Sequence, residues 1–179
     1  QSFLFTSLRD QEGKSFLAAG LAYNLAMKNK KVLIIDTNFK NNTLTHLSAK
    51  QLVNNFVTEG DENSVAATRL DLDISLPTVD ILGNKGGKNS PSELLSGVDF
   101  SKTVRELGKK YDFIFLEASC LTKYSDAREL VDYVDKVIAI FDSNTVIAST
   151  DENSLGFLKG LNEKLLGCIL NKVELKNLN

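Results

Sequence analysis

Residues 3–15, FLFTSLRDQEGKS, constrain the fold more than any other part of the chain: a short apolar strand runs into a polar loop that ends Gly-Lys-Ser where a helix begins. A loop of this kind cradles phosphate. Its backbone N–H groups and the helix N-terminus point at the anion, Lys14 brings a positive charge, and the Ser15 hydroxyl is placed to ligate Mg²⁺. Only the second half of the pattern GxxxxGK[ST] is intact. Leu8 stands where the first glycine belongs, and Gln11 where related loops often carry another. On these residues alone a second reading stays open, a solvated strand-to-helix turn in which Gly13 serves geometry and Lys14 is surface charge.

The segment that follows favours the phosphate reading. Ala18, Ala19, Leu21, Ala22, Leu25 and Ala26 make the next helix apolar over most of its surface, with Gly20 allowing close approach, so the helix is expected to be buried against a sheet. Lys28, Asn29, Lys30 and Lys31 then end it with an amide and positive charges suited to a helix C-terminus. Residues 32–36, VLIID, form a continuous apolar run of strand length ending on a carboxylate. Such runs belong to strands covered on both faces, hence to a parallel sheet, where ligands gather at the carboxyl ends of the strands. Asp36 is thereby expected on the same edge as Lys14. A second run, residues 111–117, YDFIFLE, ends on Glu117. One strand-end acid is ordinarily a cap or surface charge; two of them beside Gly-Lys-Ser point to a Mg²⁺-phosphate site.

Composition agrees with one such domain over residues 1–179. With 42% hydrophobic and 25% charged side chains the chain can fill a single core. The net charge of −2 and the scattered basic residues give no positive stripe, so nucleic acid is not an expected partner. Two cysteines without metal-ligand spacing, Cys120 expected in a loop and Cys168 in a core strand, suggest a reducing compartment. His46 is the only histidine, which rules out a histidine-based metal site or triad. No apolar run reaches the length of a membrane span, and no signal-peptide pattern is present. The start at Gln1, inside a strand pattern, is expected of an excised piece of a longer chain.

Elsewhere strands and helices alternate. Residues 40–75 are rich in Asn, Thr, Asp and Glu, with turns expected at 41–42 and 60–63. Residues 79–82 read as a short strand, 83–91 as a flexible loop, and 92–95 as the opening of a short helix. Asp99 or Ser101 caps a longer helix running to about Lys110. Residues 137–141 form another buried strand, 154–161 show helical spacing, and 165–171 close the sheet. The sum is an α/β fold: a doubly wound, mostly parallel, P-loop NTPase-like sheet of about six or seven strands with right-handed crossovers.

The order and spacing of these motifs resemble the cytoplasmic domain of the bacterial tyrosine kinases that regulate capsular and exopolysaccharide export, within the MinD/ParA-like P-loop ATPases. Thr6-Ser7 through Glu12-Gly13-Lys14-Ser15 is similar to that family's TSxxxxEGKS, and residues 32–38 occupy its second acidic motif, an apolar run ending DxD. Residues 89–95 resemble its NPxELL segment with one residue inserted. Residues 111–117 with Ser125-Asp126-Ala127 resemble its YDxxxxDTPP…TDA stretch, and residues 167–171 its GxVLN strand.

The resemblance implies that ATP or ADP is bound with Mg²⁺ through Glu12, Gly13, Lys14 and Ser15, with Asn171 at the adenine. It implies metal ligation by Ser15, Asp36 and Glu117, with Asp36 and Glu117 as the catalytic acids. It also implies a site at the inner face of the bacterial cytoplasmic membrane, a polysaccharide co-polymerase or transmembrane portion as partner, and assembly into homo-oligomers in the full-length protein. Four departures bear on activity. Asn38 replaces the second acid of DxD, Glu117 replaces an aspartate, Gln11 replaces a glycine, and residues 172–179 carry no tyrosine where the family has a tyrosine cluster, which truncation would explain equally well. Asp10, at the position of the MinD/ParA signature lysine, argues against a partner-activated partition ATPase. Three readings result: an active tyrosine kinase, a catalytically weakened relative that regulates or scaffolds, and a MinD-like ATPase.

Overall fold

The apolar runs become strands, and the segments between them form helices on both faces of one sheet. The computed structural model describes residues 1–48, 68–70, 79–95 and 99–174, with backbone alone at 47, 48 and 68–70. In chain order the elements are β1 (Ser2–Ser7), α1 (Lys14–Met27), β2 (Val32–Asp36), α2 (Thr43–Ser48), β3 (Thr68–Leu70), β4 (Val79–Leu82), α3 (Pro91–Leu94), α4 (Phe100–Leu107), β5 (Phe113–Cys120), α5 (Asp126–Leu130), β6 (Lys136–Asp142), α6 (Glu152–Gly160) and β7 (Leu165–Asn171). The strand order is β3-β4-β2-β5-β1-β6-β7, and every pairing is parallel except that of β3 with β4. The doubly wound, mostly parallel sheet expected from the sequence is thus present. The turn expected at 60–63 lies outside the described residues.

Two apolar clusters sandwich the sheet. On one face Ala18, Ala22 and Ala26 of α1 and Leu44 of α2 pack on Phe5, Ile34, Phe115 and Ile140. On the other, Phe100 and Val104 of α4, Ala127 and Leu130 of α5 and Leu158 of α6 cover Leu4, Leu33, Leu116 and Val137. Helix α1 uses small alanines on its inner face, which lets its backbone, and so Lys14, come close to β1. It ends as a Schellman turn: Asn29 takes φ 59°, Lys30 N–H donates to the Leu25 carbonyl and Asn29 N–H to that of Ala26.

Several expectations are corrected. Helix α1 packs on the sheet through its alanine face as expected, but Phe16, Gly20, Leu21 and Met27 face outward, and a Cβ on Gly20 would meet nothing among the described residues, so Gly20 serves no close approach to them. Strand β5 runs three residues beyond Glu117, because Leu121 and Thr122 N–H donate to the carbonyls of Ser7 and Leu8 and draw the strand onward. Glu117 therefore sits inside β5, and Cys120 is its buried last residue rather than a loop residue. Cys168 is exposed, not core, because β7 is an edge strand whose Leu166, Cys168 and Leu170 share an open face. Helix α4 stops at Leu107, short of Lys110. Of its two candidate caps Asp99 is the one used, Oδ1 accepting from Lys102 N–H at 2.9 Å. Helix α3 starts at Pro91 rather than at Ser92, under a capping box in which Ser90 Oγ accepts from Glu93 N–H and Glu93 Oε2 from Ser90 N–H.

Candidate nucleotide and metal site

Register sets the frame of the site. Asp36 of β2 and Phe5 of β1 both pair with Glu117 of β5, so these three residues lie level across the sheet, and the loop after β1 rises close to them. A register shift between Phe5 and Ser7 lets β5 carry Glu117 beneath α1 while still pairing Cys120 with Ser7. Thr6 pins this irregular stretch by donating from Oγ1 to the Ser119 carbonyl at 2.9 Å.

The loop between β1 and α1 is built on two left-handed residues, Gln11 at φ 62° and Gly13 at φ 95°. Glycine tolerates this conformation and glutamine is strained by it, typically by about 1–2 kcal/mol. Gly13 is required on a second ground: a Cβ there would lie 2.2 Å from Asn171 Nδ2. Lys14 is buried within the loop and donates from Nζ to Ser7 Oγ at 3.0 Å; Ser7 Oγ in turn donates to the Arg9 carbonyl at 2.6 Å. The next residue, Ser15, donates from Oγ to Glu117 Oε1 at 2.5 Å.

Glu117 is the most perturbed group of the site. It is 1% exposed, and among the described residues its Oε2 has no hydrogen-bond partner. Burial pushes its carboxyl up to about 7, aided by the negative charge of Asp36 and opposed by the Ser15 hydrogen bond and the Lys14 ammonium. Asp36 is also buried and raised, chiefly by desolvation. Its oxygens are largely committed: Oδ2 accepts from Thr45 N–H at 2.9 Å and Thr45 Oγ1 at 2.7 Å, and Oδ1 from Asn38 N–H at 3.1 Å. Three of the four lone-pair directions of Asp36 are thereby filled, which makes it first an anchor of the 36–45 turn. Asn38 is buried as well, with Oδ1 accepting from Asn41 N–H at 3.2 Å.

These groups border a cleft of about 520 Å³ between the start of α1 and the turn before α2, lined by the buried Lys14, Glu117, Asn38 and Leu44, by the half-buried Ser15 and by the exposed Phe16. The structure therefore brings Lys14, Ser15, Glu117 and Asn38 to one cavity, with Asp36 behind it. Among the described residues no three His, Cys, Asp or Glu side chains cluster as a self-sufficient metal site. An oxygen-only donor set of Ser15 Oγ and the unpartnered Glu117 Oε2 fits a hard cation that also takes phosphate oxygens, which is how Mg²⁺ is commonly held.

Glu12 and Asn171 have other geometry. The Glu12 carboxylate is buried away from the cleft, Oε2 accepting from Arg9 N–H at 2.8 Å and Oε1 from Asp142 N–H and Thr145 Oγ1 at 3.3 and 3.2 Å. Asn171, at the end of β7, donates from Nδ2 to the Glu12 carbonyl at 2.9 Å. Asp10, on the cleft wall, pairs with Lys123 at 2.6 Å; burial pulls its carboxyl up, but the Lys123 and Cys120 hydrogen bonds and the Lys123 charge outweigh it and leave it lowered. Sequence reasoning missed Thr45 and Asn84. Asn84 donates from Nδ2 to the Asp36 carbonyl at 2.7 Å and from its backbone N–H to Thr45 Oγ1 at 3.0 Å, so the supposed flexible loop begins with a clamp on the acidic motif. The only signal was an Asn two residues past a buried strand.

The model of the CobQ/CobB/MinD/ParA nucleotide binding domain matches residues 3–179. The chain belongs to that family. Within it the chain resembles bacterial tyrosine-protein kinases. It is 27% identical to CapB of Staphylococcus aureus, named as a tyrosine-protein kinase, over 97% of this chain and 75% of that protein. It is 23% identical to the succinoglycan biosynthesis transport protein ExoP of Rhizobium meliloti, over 93% of this chain and 22% of ExoP. Among solved structures, the kinase domain of VpsO superposes with TM-score 0.78 at 26% identity, covering 97% of this chain and 85% of that one. The Pyrococcus horikoshii septum site-determining protein MinD, solved with Mg-ADP, shares the fold with TM-score 0.70 at 18% identity, over 95% of this chain and 69% of that one.

Proposed function

We propose that residues 1–179 act as one nucleotide-binding domain, a catalytically weakened relative of the bacterial tyrosine kinases of exopolysaccharide and capsule export. The convergence of Lys14, Ser15 and Glu117 on one cleft carries the binding half of this reading. Lys14 and the amides of the 11–14 loop would hold the phosphates of ATP or ADP, and Ser15 Oγ and Glu117 would hold Mg²⁺, which would supply positive charge to offset that of the phosphates. Asn171 braces the loop from the side on which the resemblance puts adenine.

The weakening rests on three residues. Asn38 offers an amide where the family has a carboxylate, and an amide takes no proton from a tyrosine hydroxyl. Glu117 contacts Ser15 directly and carries its carboxylate one methylene further out than the family's aspartate, which shifts any metal ligation from the geometry that Mg²⁺ demands. Gln11 holds the loop in a strained conformation. An active kinase is the second reading, favoured by the retained Lys14 and Ser15 at the head of α1. The kinase and transport names of CapB and ExoP support a place at the inner face of the cytoplasmic membrane beside a polysaccharide co-polymerase or transmembrane portion; assembly into homo-oligomers rests on the family resemblance alone. Among the described residues no helix is long and apolar enough to cross a membrane.

Thermal denaturation with Mg-ADP tests the binding half. Ligand at about 100 times Kd stabilises by about 2.7 kcal/mol. For a domain of this size that is roughly 5–10 °C in Tm. Lys14→Ala should abolish most of the shift, and a flat response of the native chain at millimolar nucleotide would overturn the proposal.

A further inference from the structure

Strand β7 ends in Asn171-Lys172, and both side chains turn back to the phosphate loop. Lys172 adopts the left-handed conformation, φ 57°, and its Nζ donates to the Gln11 carbonyl at 2.9 Å and to Asp142 Oδ2 at 2.6 Å. Asn171 Nδ2 grips the next carbonyl, that of Glu12. The third in line, the Gly13 carbonyl, accepts from Leu17 N–H at 3.0 Å as the first bond of α1.

A trans peptide is planar, with its N–H pointing opposite to its C=O. Holding the Gln11 carbonyl outward therefore aims the Glu12 N–H inward, and holding the Glu12 carbonyl outward aims that of Gly13 inward. Three successive carbonyls are held by donors, so the three amides that follow them, those of Glu12, Gly13 and Lys14, point away from those donors. That is an anion nest. In a loop that lacks two of the expected glycines, and in which Gln11 carries a strained φ, the first of these peptide planes depends on an external grip.

We propose that Lys172, backed by Asp142, is a positioning residue of the phosphate loop, orienting the Gln11–Glu12 peptide so that the Glu12 amide faces the bound phosphate. This rests on the nucleotide-site reading. Lys172 touches no phosphate itself; its ammonium is spent on the carbonyl and the carboxylate. Asp142 fixes the ammonium in place, and Asp142 N–H in turn donates to Glu12 Oε1, so the end of β6, the end of β7 and the loop form one braced unit.

The variants Lys172→Met, Lys172→Arg and Asp142→Asn, titrated calorimetrically with Mg-ADP, inorganic triphosphate and adenosine, separate this role from its alternatives. Lys172→Met should weaken Mg-ADP and triphosphate about tenfold, the scale of a charged hydrogen bond, and leave adenosine within about twofold. Lys172→Arg should recover most of the loss. Asp142→Asn removes a negative charge, so simple attraction between the protein and phosphate predicts tighter binding; positioning predicts binding about threefold weaker. Tighter or unchanged binding by Asp142→Asn, or an equal loss for adenosine, would overturn the inference. A native chain that binds no Mg-ADP would overturn the nucleotide reading instead. The inference would then be decided by amide NMR of the free protein, where Lys172→Met must shift the Glu12 resonance; an unmoved Glu12 amide would refute it.

Discussion

Gly13→Ala probes the loop at its tightest point, and its cost follows from two separate contacts. The residue sits at φ 95°, where an added Cβ costs about 1–2 kcal/mol. That Cβ would also lie 2.2 Å from Asn171 Nδ2, which has to move because nothing tolerates such a distance. Asn171 is the end of a side chain and can yield, but yielding breaks its hydrogen bond to the Glu12 carbonyl, worth about 1 kcal/mol. The smaller conformational freedom of alanine in the unfolded chain returns about 0.5 kcal/mol. The net expectation is a loss of about 2 kcal/mol. At this size that lowers Tm by roughly 4–8 °C. Urea and thermal unfolding followed by circular dichroism measure it directly. In an Asn171→Ala background the clash and the lost bond are already gone, so the same substitution should cost only about 1 kcal/mol, a coupling of about 1 kcal/mol between the two sites. A loss below about 0.5 kcal/mol, or the same loss in both backgrounds, would refute the account of why glycine stands here.

Gln11→Gly should act in the opposite sense, raising stability by about 0.5–1 kcal/mol because relief of left-handed strain exceeds the added unfolded-state freedom; a destabilised variant in urea titration would contradict the strain. The pH dependence turns on Glu117, whose folded carboxyl titrates at about 7 against 4.5 in the unfolded chain. The folded state thus binds the extra proton, so this group's contribution is fully present below the unfolded value and is lost as pH rises through 7, by up to about 3 kcal/mol. Asp36, also raised, adds to the same slope, and the stability difference between native and Glu117→Gln proteins should follow this curve; a native chain that gained stability over the variant with rising pH would contradict the burial argument. A thiol reagent should modify Cys168 rapidly in the native protein and Cys120 only on unfolding, and two fast thiols would contradict the placement of β5 and β7.

The fold was legible because it rests on period and punctuation. Runs such as residues 32–35 and 137–141 are apolar throughout and of strand length, the pattern of strands covered on both sides, and Gly-Lys-Ser after a strand fixes the helix that follows. The candidate site was legible in the residues that the motif places by covalent connection, Lys14 and Ser15, and in Asp36 and Glu117, which sit level on neighbouring strands beside the loop. Its wiring was not. That β5 continues past Glu117 depends on hydrogen bonds from Leu121 and Thr122 to the chain after β1, a long-range pairing with no local signature. Thr45 and Asn84 reach Asp36 from two other segments, and the return of Asn171 and Lys172 to the loop depends on β7 lying beside β6. Cys168 was misplaced because an apolar edge strand and a central one read alike; only the sheet order tells them apart.

The central claim, a retained nucleotide cleft with impaired phosphoryl transfer, is tested most directly by one comparison of turnover. Mg-dependent ATP hydrolysis and phosphorylation of a tyrosine-bearing peptide should be measured for the native chain and for the triple variant Gln11→Gly, Asn38→Asp, Glu117→Asp. The variant restores the glycine, the second acid and the shorter acid together, since groups acting on one metal site are not additive. It should turn over at least about tenfold faster, equivalent to about 1.4 kcal/mol of barrier. Robust turnover by the native chain, undiminished beside the variant, would contradict the claim and leave the active-kinase reading in its place.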